Sequence, residues 1–136
     1  MHTPASRALA LRTSTVTYPG SAEQIRVVRA DLRALLGGCP IGDDVILCAS
    51  ELATNATLHS RSGVQGGTFT VRASIDLGHS VEVEVEDRGG PWTSSTTESD
   101  RYHGLDIIRA IATDWGITGD HIARTIWARF NWPDTA

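Results

Sequence analysis

Residues 81–87, VEVEVED, alternate without a break, with Val81, Val83 and Val85 on one face and Glu82, Glu84 and Glu86 on the other. Period two is the signature of a strand with one buried face. The preceding stretch 68–77, TFTVRASIDL, places Phe69, Val71, Ala73, Ile75 and Leu77 in the same rhythm. A short GHS turn joins the two, which predicts an antiparallel pair. Upstream, STVTYPG (14–20) has strand composition and stops at Pro-Gly. Period 3.6 then takes over. Ser21 is the expected cap of a helix whose stripe is Ile25, Val28, Leu32, Leu35 and Leu36, and GGCP (37–40) ends it. A second helix is expected from Asp43–Asp44 to about Ser60, and a third over 104–115 with Leu105, Ile108, Ile111 and Ala112 inward. Residues 61–67 and 88–101 read as loops. DWGITGD and HIARTIWARFNW close the chain as a further strand pair. Strand runs joined by tight turns, with helices between them, imply an α+β two-layer sandwich with helices on one face of the sheet.

The second helix carries an unexpected line. Glu51, Asn55 and His59 recur at a spacing of four, which stacks them on one slowly drifting face over about 12 Å of axis. Val45, Ile46, Leu47, Ala49, Leu52, Ala53, Ala56 and Leu58 interleave with them, so the polar line borders the core. Two further stretches carry candidate chemistry. In EVEDRGGPW (84–92) a strand ends at Asp87 and breaks into Gly89-Gly90-Pro91. That puts a carboxylate beside backbone free of bulk, where it can accept from an amino group while a flat ring lies close. In YHGLDII (102–108) a glycine opens a helix, whose N-terminal N–H groups and dipole suit a phosphate. Each also has a plain structural reading: a solvated helix face, a turn, an ordinary helix start.

Composition narrows the classes. The 136 residues suffice for one core, 40% are hydrophobic, and no apolar run approaches the ~20 residues of a membrane span. A net charge of −4 without a basic block argues against direct nucleic-acid binding. All 12 basic residues are Arg. The lack of Lys excludes a P-loop, a Schiff-base enzyme and a two-lobed kinase with its strand lysine. Cys39 and Cys48 are expected as reduced thiols in or near the core, with no metal-spacing cluster among the five histidines. The N-terminus lacks a secretory apolar core, so a cytoplasmic location is the expectation.

The order and spacing of these signals resemble the GHKL ATPase superfamily, the Bergerat fold. SELATNATLHS is similar to its Glu-Leu-x-x-Asn-Ala-x-x-His-Ser pattern, VEDRGGPW to its Asp-x-Gly-x-Pro box, HGLDIIRAIATDWGI to its Gly-Leu helix and the following Asp-x-Trp-Gly, and ARTIWARF to its last strand. The resemblance runs from about Ser14 to Trp132. Within the superfamily the chain looks like the short single-domain anti-sigma-factor serine/threonine kinases. It implies one histidine-kinase-like ATP-binding domain over 1–136, with 1–13 irregular, built on a mixed, mostly antiparallel sheet.

The resemblance also implies roles. Asn55 ligates Mg²⁺ on the ATP phosphates, and Glu51 is the general base. Asp87 accepts from the adenine amine and Gly89 packs near the ring. Thr125 helps hold adenine, Gly104 gives its N–H to phosphate, and Leu105 follows it in the nucleotide-binding motif. Residues 92–103 form the lid. His59 is either a support for these groups or a hydrogen-bonded histidine at a helix end. The family has Gly-x-Gly-Leu at the lid's end, and Tyr102 stands here for the first Gly. Its Cβ restricts φ, so either the lid closes differently or Tyr102 or His103 meets phosphate directly.

The implied activity is ATP- and Mg²⁺-dependent phosphorylation of an anti-sigma-factor antagonist, with a sigma factor as the second partner and a homodimer compatible with the pattern. The alternative is a GHKL module that binds nucleotide or protein without transfer. A histidine-kinase catalytic domain fits less well, because no helical hairpin precedes the motifs.

Overall fold

The computed structural model describes residues 11–88, 98–120 and 122–133. In chain order the elements are β1 (Leu11–Pro19), α1 (Gln24–Leu35), α2 (Gly42–His59), a 3-10 turn (Arg61–Gly63), β2 (Thr68–Asp76), β3 (Ser80–Asp87), α3 (Glu98–Ile111), β4 (Asp114–Gly119) and β5 (Arg124–Asn131). The strands form one sheet in the order β1-β2-β3-β5-β4, antiparallel at every described pairing. The sheet expected to be mixed but mostly antiparallel is thus antiparallel throughout these ladders. Hairpins β2–β3 and β4–β5 need only short turns, and β5 inserts beside β3, which puts the ends of β3 and β5 side by side.

Alternation decides which side is core. Phe69, Val71, Ala73 and Ile75 of β2, Val81, Val83 and Val85 of β3, and Ile126, Ala128 and Phe130 of β5 are buried. Their neighbours in sequence form the opposite, more exposed face. There Arg72 bonds Glu86 at 2.7 Å, and the Trp127 indole covers Gly116, where a Cβ would sit 2.7 Å from its Nε1.

The helices cover the apolar face. α2 is the central one, packed on β2, β3 and β5 and flanked by α1 and α3. Val45, Ile46, Cys48, Ala49, Leu52, Ala53 and Ala56 are buried, whereas Leu47 and Leu58, expected at the core border, are exposed. α1 contributes Val28 and Leu32, and Leu36 just past its end. α3 contributes Leu105 and Ile108. Polar ties lock the layers. The Tyr18 hydroxyl donates to Asp31 Oδ2 at 2.6 Å, and Arg29 Nε donates to the buried Ser50 Oγ at 2.9 Å.

Four boundaries differ from the sequence reading. β1 begins at Leu11, inside the segment expected to be irregular, because Leu11–Thr13 continue the ladder with β2. α1 begins at Gln24, and Ser21 serves it through its backbone carbonyl, which accepts the Gln24 N–H at 3.0 Å. The second strand ends at Asp76, leaving Leu77 exposed. α3 begins at Glu98, six residues before the expected start. Glu98 and Asp100 are acids suited to a helix N-terminus, so the stretch read as loop carries its own start signal.

Candidate functional site

α2 holds the polar line where the sequence placed it. Asn55 is 7% exposed and its amide receives no hydrogen bond from a described side chain. Neither atom of the amide is both buried and without a partner, so the group reaches solvent at the edge of the core and can be met by a ligand. Glu51, one turn earlier, is half-buried and makes no ion pair or hydrogen bond with a described residue. The helix does not need either group for its own bonding. Ser50, Thr54, Thr57 and Ser60 return their hydroxyls to backbone carbonyls of the same helix. The side chain of His59 lies outside the described part.

Glu51 leaves a mark on its surroundings. The Cys48 thiol is pushed up to about 12, first by burial, then by the nearby carboxylates of Asp44 and Glu51. Cys48 therefore stays protonated and is no nucleophile.

Asp87 is the last residue of β3 and is 6% exposed. It continues the inward series Val81, Val83, Val85, so its carboxylate belongs to the helix-covered face. A device absent from the sequence reading holds this strand end. Ser62 is fully buried, and its Oγ accepts the backbone N–H of Arg88 at 2.9 Å. The Ser62 backbone is fixed in turn, since its N–H donates to Ser60 Oγ at 3.0 Å and Gly20 lies against its carbonyl, where a Cβ would come within 1.5 Å of the oxygen. The end of α2, the end of β1 and the tip of β3 are thereby joined. The signal was faint in sequence, a serine in a loop 26 positions from its partner.

The remaining candidates divide. Leu105 is buried in the core. Gly104 is the seventh residue of α3, so its N–H belongs to the helical ladder and not to the free donors of a helix N-terminus. The expectation of a glycine opening that helix is corrected. Contact of this N–H with phosphate would require the first turns of α3 to unwind. Thr125 pairs with Glu86, and its neighbours Ile126 and Arg124 share the inward face, so Thr125 lies on the open face away from Asp87. The residue opposite Asp87 is Arg124. Gly89 and residues 92–97 lie outside the described residues. So do the side chains of Tyr102 and His103, while the backbone of 98–103 is helical.

Among the described residues no group of three or more His, Cys, Asp or Glu side chains could hold a metal ion. Asn55 offers one amide oxygen, a hard donor of the kind that magnesium and calcium accept. A groove of about 460 Å³ beside the 63–68 loop contains none of these residues. Its one titratable lining group, Tyr18, is already committed to Asp31. No helix among the described residues is long and apolar enough to cross a membrane.

Comparison with known proteins agrees with this fold. Among curated protein sequences none matches the chain significantly. A similar solved structure is that of the RsbU and RsbW domains of Rv1364c from Mycobacterium tuberculosis. It aligns with a TM-score of 0.70 and 22% identity over 88% of this chain, which spans about a third (32%) of that one. At that identity the likeness concerns the fold. The family model of the histidine kinase-like ATPase domain matches residues 18–129, which include every candidate named above. The chain thus belongs to the histidine kinase-like ATPase domain family.

Proposed function

We propose that this protein is an ATP- and Mg²⁺-dependent serine/threonine protein kinase that regulates transcription by phosphorylating an anti-sigma-factor antagonist, with a sigma factor as its alternative partner. Family membership supports ATP binding in a regulatory protein of the GHKL type. The observation that carries the finer reading is the placement of the Asn55 amide and the half-buried Glu51 carboxylate one turn apart on one helix face, with neither engaged by a described side chain. A module that only binds has no use for a base held one turn from a metal ligand. Partner switching is supported by the four ordered motifs and by the RsbW domain in the similar structure's own chain.

In this reading Asp87 accepts from the exocyclic amine of adenine, and Asn55 holds Mg²⁺ through its amide oxygen. The cation supplies charge neutralisation on the phosphate oxygens. The partner's Ser or Thr oxygen attacks the γ-phosphorus, forming the new O–P bond as the bond to the β–γ bridging oxygen breaks. ADP leaves, and the hydroxyl proton passes to Glu51. Such a transfer depends on positioning and electrostatics more than on covalent help, which a domain this small can provide.

The test is transfer of labelled γ-phosphate from ATP to the antagonist. Wild type is expected to label it on Ser or Thr. Glu51→Gln is expected to bind ATP normally and to lose transfer by 10²-fold or more, the scale of a general base. The second reading, a nucleotide- or protein-binding regulator without transfer, draws on the helical placement of Gly104 and on Tyr102. Binding of ATP with no transfer by wild type would select it.

A further inference from the structure

We infer that Arg124 orients the Asp87 carboxylate and thereby sets which nucleotide base the site accepts. This rests on the reading of Asp87 as the adenine acceptor, and it adds a residue that the motifs do not name.

Register places the two residues together. Asp87 and Arg124 are direct cross-strand partners at the joined ends of β3 and β5. Directly opposed residues share a face, with Cβ atoms about 5 Å apart. Both continue the inward series of their strands, Val81, Val83 and Val85 in one and Ile126, Ala128 and Phe130 in the other. The Arg124 side chain is therefore based on the helix-covered face beside Asp87, whereas Thr125 is based on the open face.

The backbone under Arg124 is held firmly. Gly119 has φ +100 and is the residue opposite Arg124 on β4. A Cβ there would come within 2.1 Å of the Ala123 carbonyl oxygen, so the tight β4–β5 turn requires glycine. Asp120 Oδ1 accepts the N–H groups of Ile122 and Ala123 at 2.8 and 3.2 Å, and the Asp120 N–H donates to the Ala123 carbonyl. The turn delivers Arg124 to the strand in one register.

Charge completes it. A carboxylate as buried as Asp87 is costly without a cation or strong donors nearby. Among the described residues, Arg72 is directed to Glu84 and Glu86, Arg88 to Thr68, Arg129 to Asp114, and Arg109 over the Trp115 ring. Arg124 is the described arginine whose strand position is directly opposite Asp87. A planar guanidinium can hold one carboxylate oxygen and leave the other aimed at the ligand, which a point charge does less well.

The experiment is calorimetric titration of the full chain with ATP and with ITP, whose base lacks the exocyclic amine. The proteins are wild type, Asp87→Asn, Arg124→Gln, Arg124→Lys and the Asp87→Asn/Arg124→Gln double variant. Wild type is expected to prefer ATP by about tenfold or more, the worth of a charge-assisted hydrogen bond. Arg124→Gln is expected to lose most of that preference, with Arg124→Lys keeping part of it. The double variant should be no worse than Asp87→Asn alone, because the two residues act as one unit. An ATP preference unchanged in Arg124→Gln, or losses that simply add in the double variant, would overturn the inference. A wild type that binds neither nucleotide would instead remove the adenine-site reading on which it rests.

Discussion

Replacing Asn55 by Ala should leave the free protein's stability nearly unchanged and remove most of the stabilisation that Mg²⁺-ATP gives. Asn55 is 7% exposed, and its amide receives no hydrogen bond from a described side chain. Neither amide atom is both buried and without a partner, so the group reaches solvent and carries no large desolvation cost. Alanine is the better helix former by up to about 0.7 kcal/mol. Against this stands the loss of a few packing contacts at a position that opens to solvent. The net expectation is a change within about 0.5 kcal/mol, a shift in Tm of a few degrees at most for a chain of this size. Mg²⁺-ATP at a hundred times its Kd then adds about 2.7 kcal/mol to wild type through linkage and little to the variant. A gap of about 2 kcal/mol between the two proteins should open when the nucleotide is added. Urea melts of both proteins, with and without Mg²⁺-ATP, measure this directly. A free variant less stable than wild type by more than about 1 kcal/mol would show that the amide serves the fold. Equal stabilisation of both proteins by Mg²⁺-ATP would show that it does not serve the ligand.

Three further outcomes follow from the packing. Gly20→Ala should cost about 3 kcal/mol or more, because its Cβ would meet the Ser62 carbonyl at 1.5 Å. Gly66→Ala, with open space around it but φ +80, should cost only about 1–2 kcal/mol; equal Tm losses would refute the contrast. Ser62→Ala should cost about 1 kcal/mol in a denaturant melt and also weaken ATP binding, since it frees the Arg88 N–H and with it the tip of β3; a stability loss with unchanged ATP affinity would separate Ser62 from the site. Cys48, raised from its ordinary 9.0 to about 12, keeps its proton in the folded chain while the unfolded thiol loses it. Its contribution is therefore whole below about pH 9 and declines as pH climbs toward 12, and Cys48→Ala should flatten that decline in the urea midpoint, whereas an unchanged alkaline slope would contradict it.

The parts of this fold legible in the sequence are those set by local periodicity. β2 and β3 alternate strictly, α1 shows one clean stripe, and the Glu51–Asn55 line stands out because amides and acids interrupt an otherwise apolar helix. What escaped was non-local. Ser62 acts on a residue 26 positions away, and no local pattern announces that. The adjacent pair Arg124-Thr125 offers two candidates of opposite phase, and only pairing with β3 decides which one faces Asp87. The start of α3 was hidden because Ser, Thr, Asp and Glu serve loops and helix N-termini alike, so the segment before Gly104 read as loop.

An ATP site formed by α2 and the tip of β3 together makes nucleotide binding depend on Asp87. Calorimetric titration of the purified protein with ATP and GTP, with and without Mg²⁺, alongside Asp87→Asn, tests it most directly. The expected result is micromolar, Mg²⁺-dependent binding of ATP in preference to GTP, weakened about tenfold or more by Asp87→Asn. Absence of nucleotide binding under every condition, or binding untouched by Asp87→Asn, would contradict it.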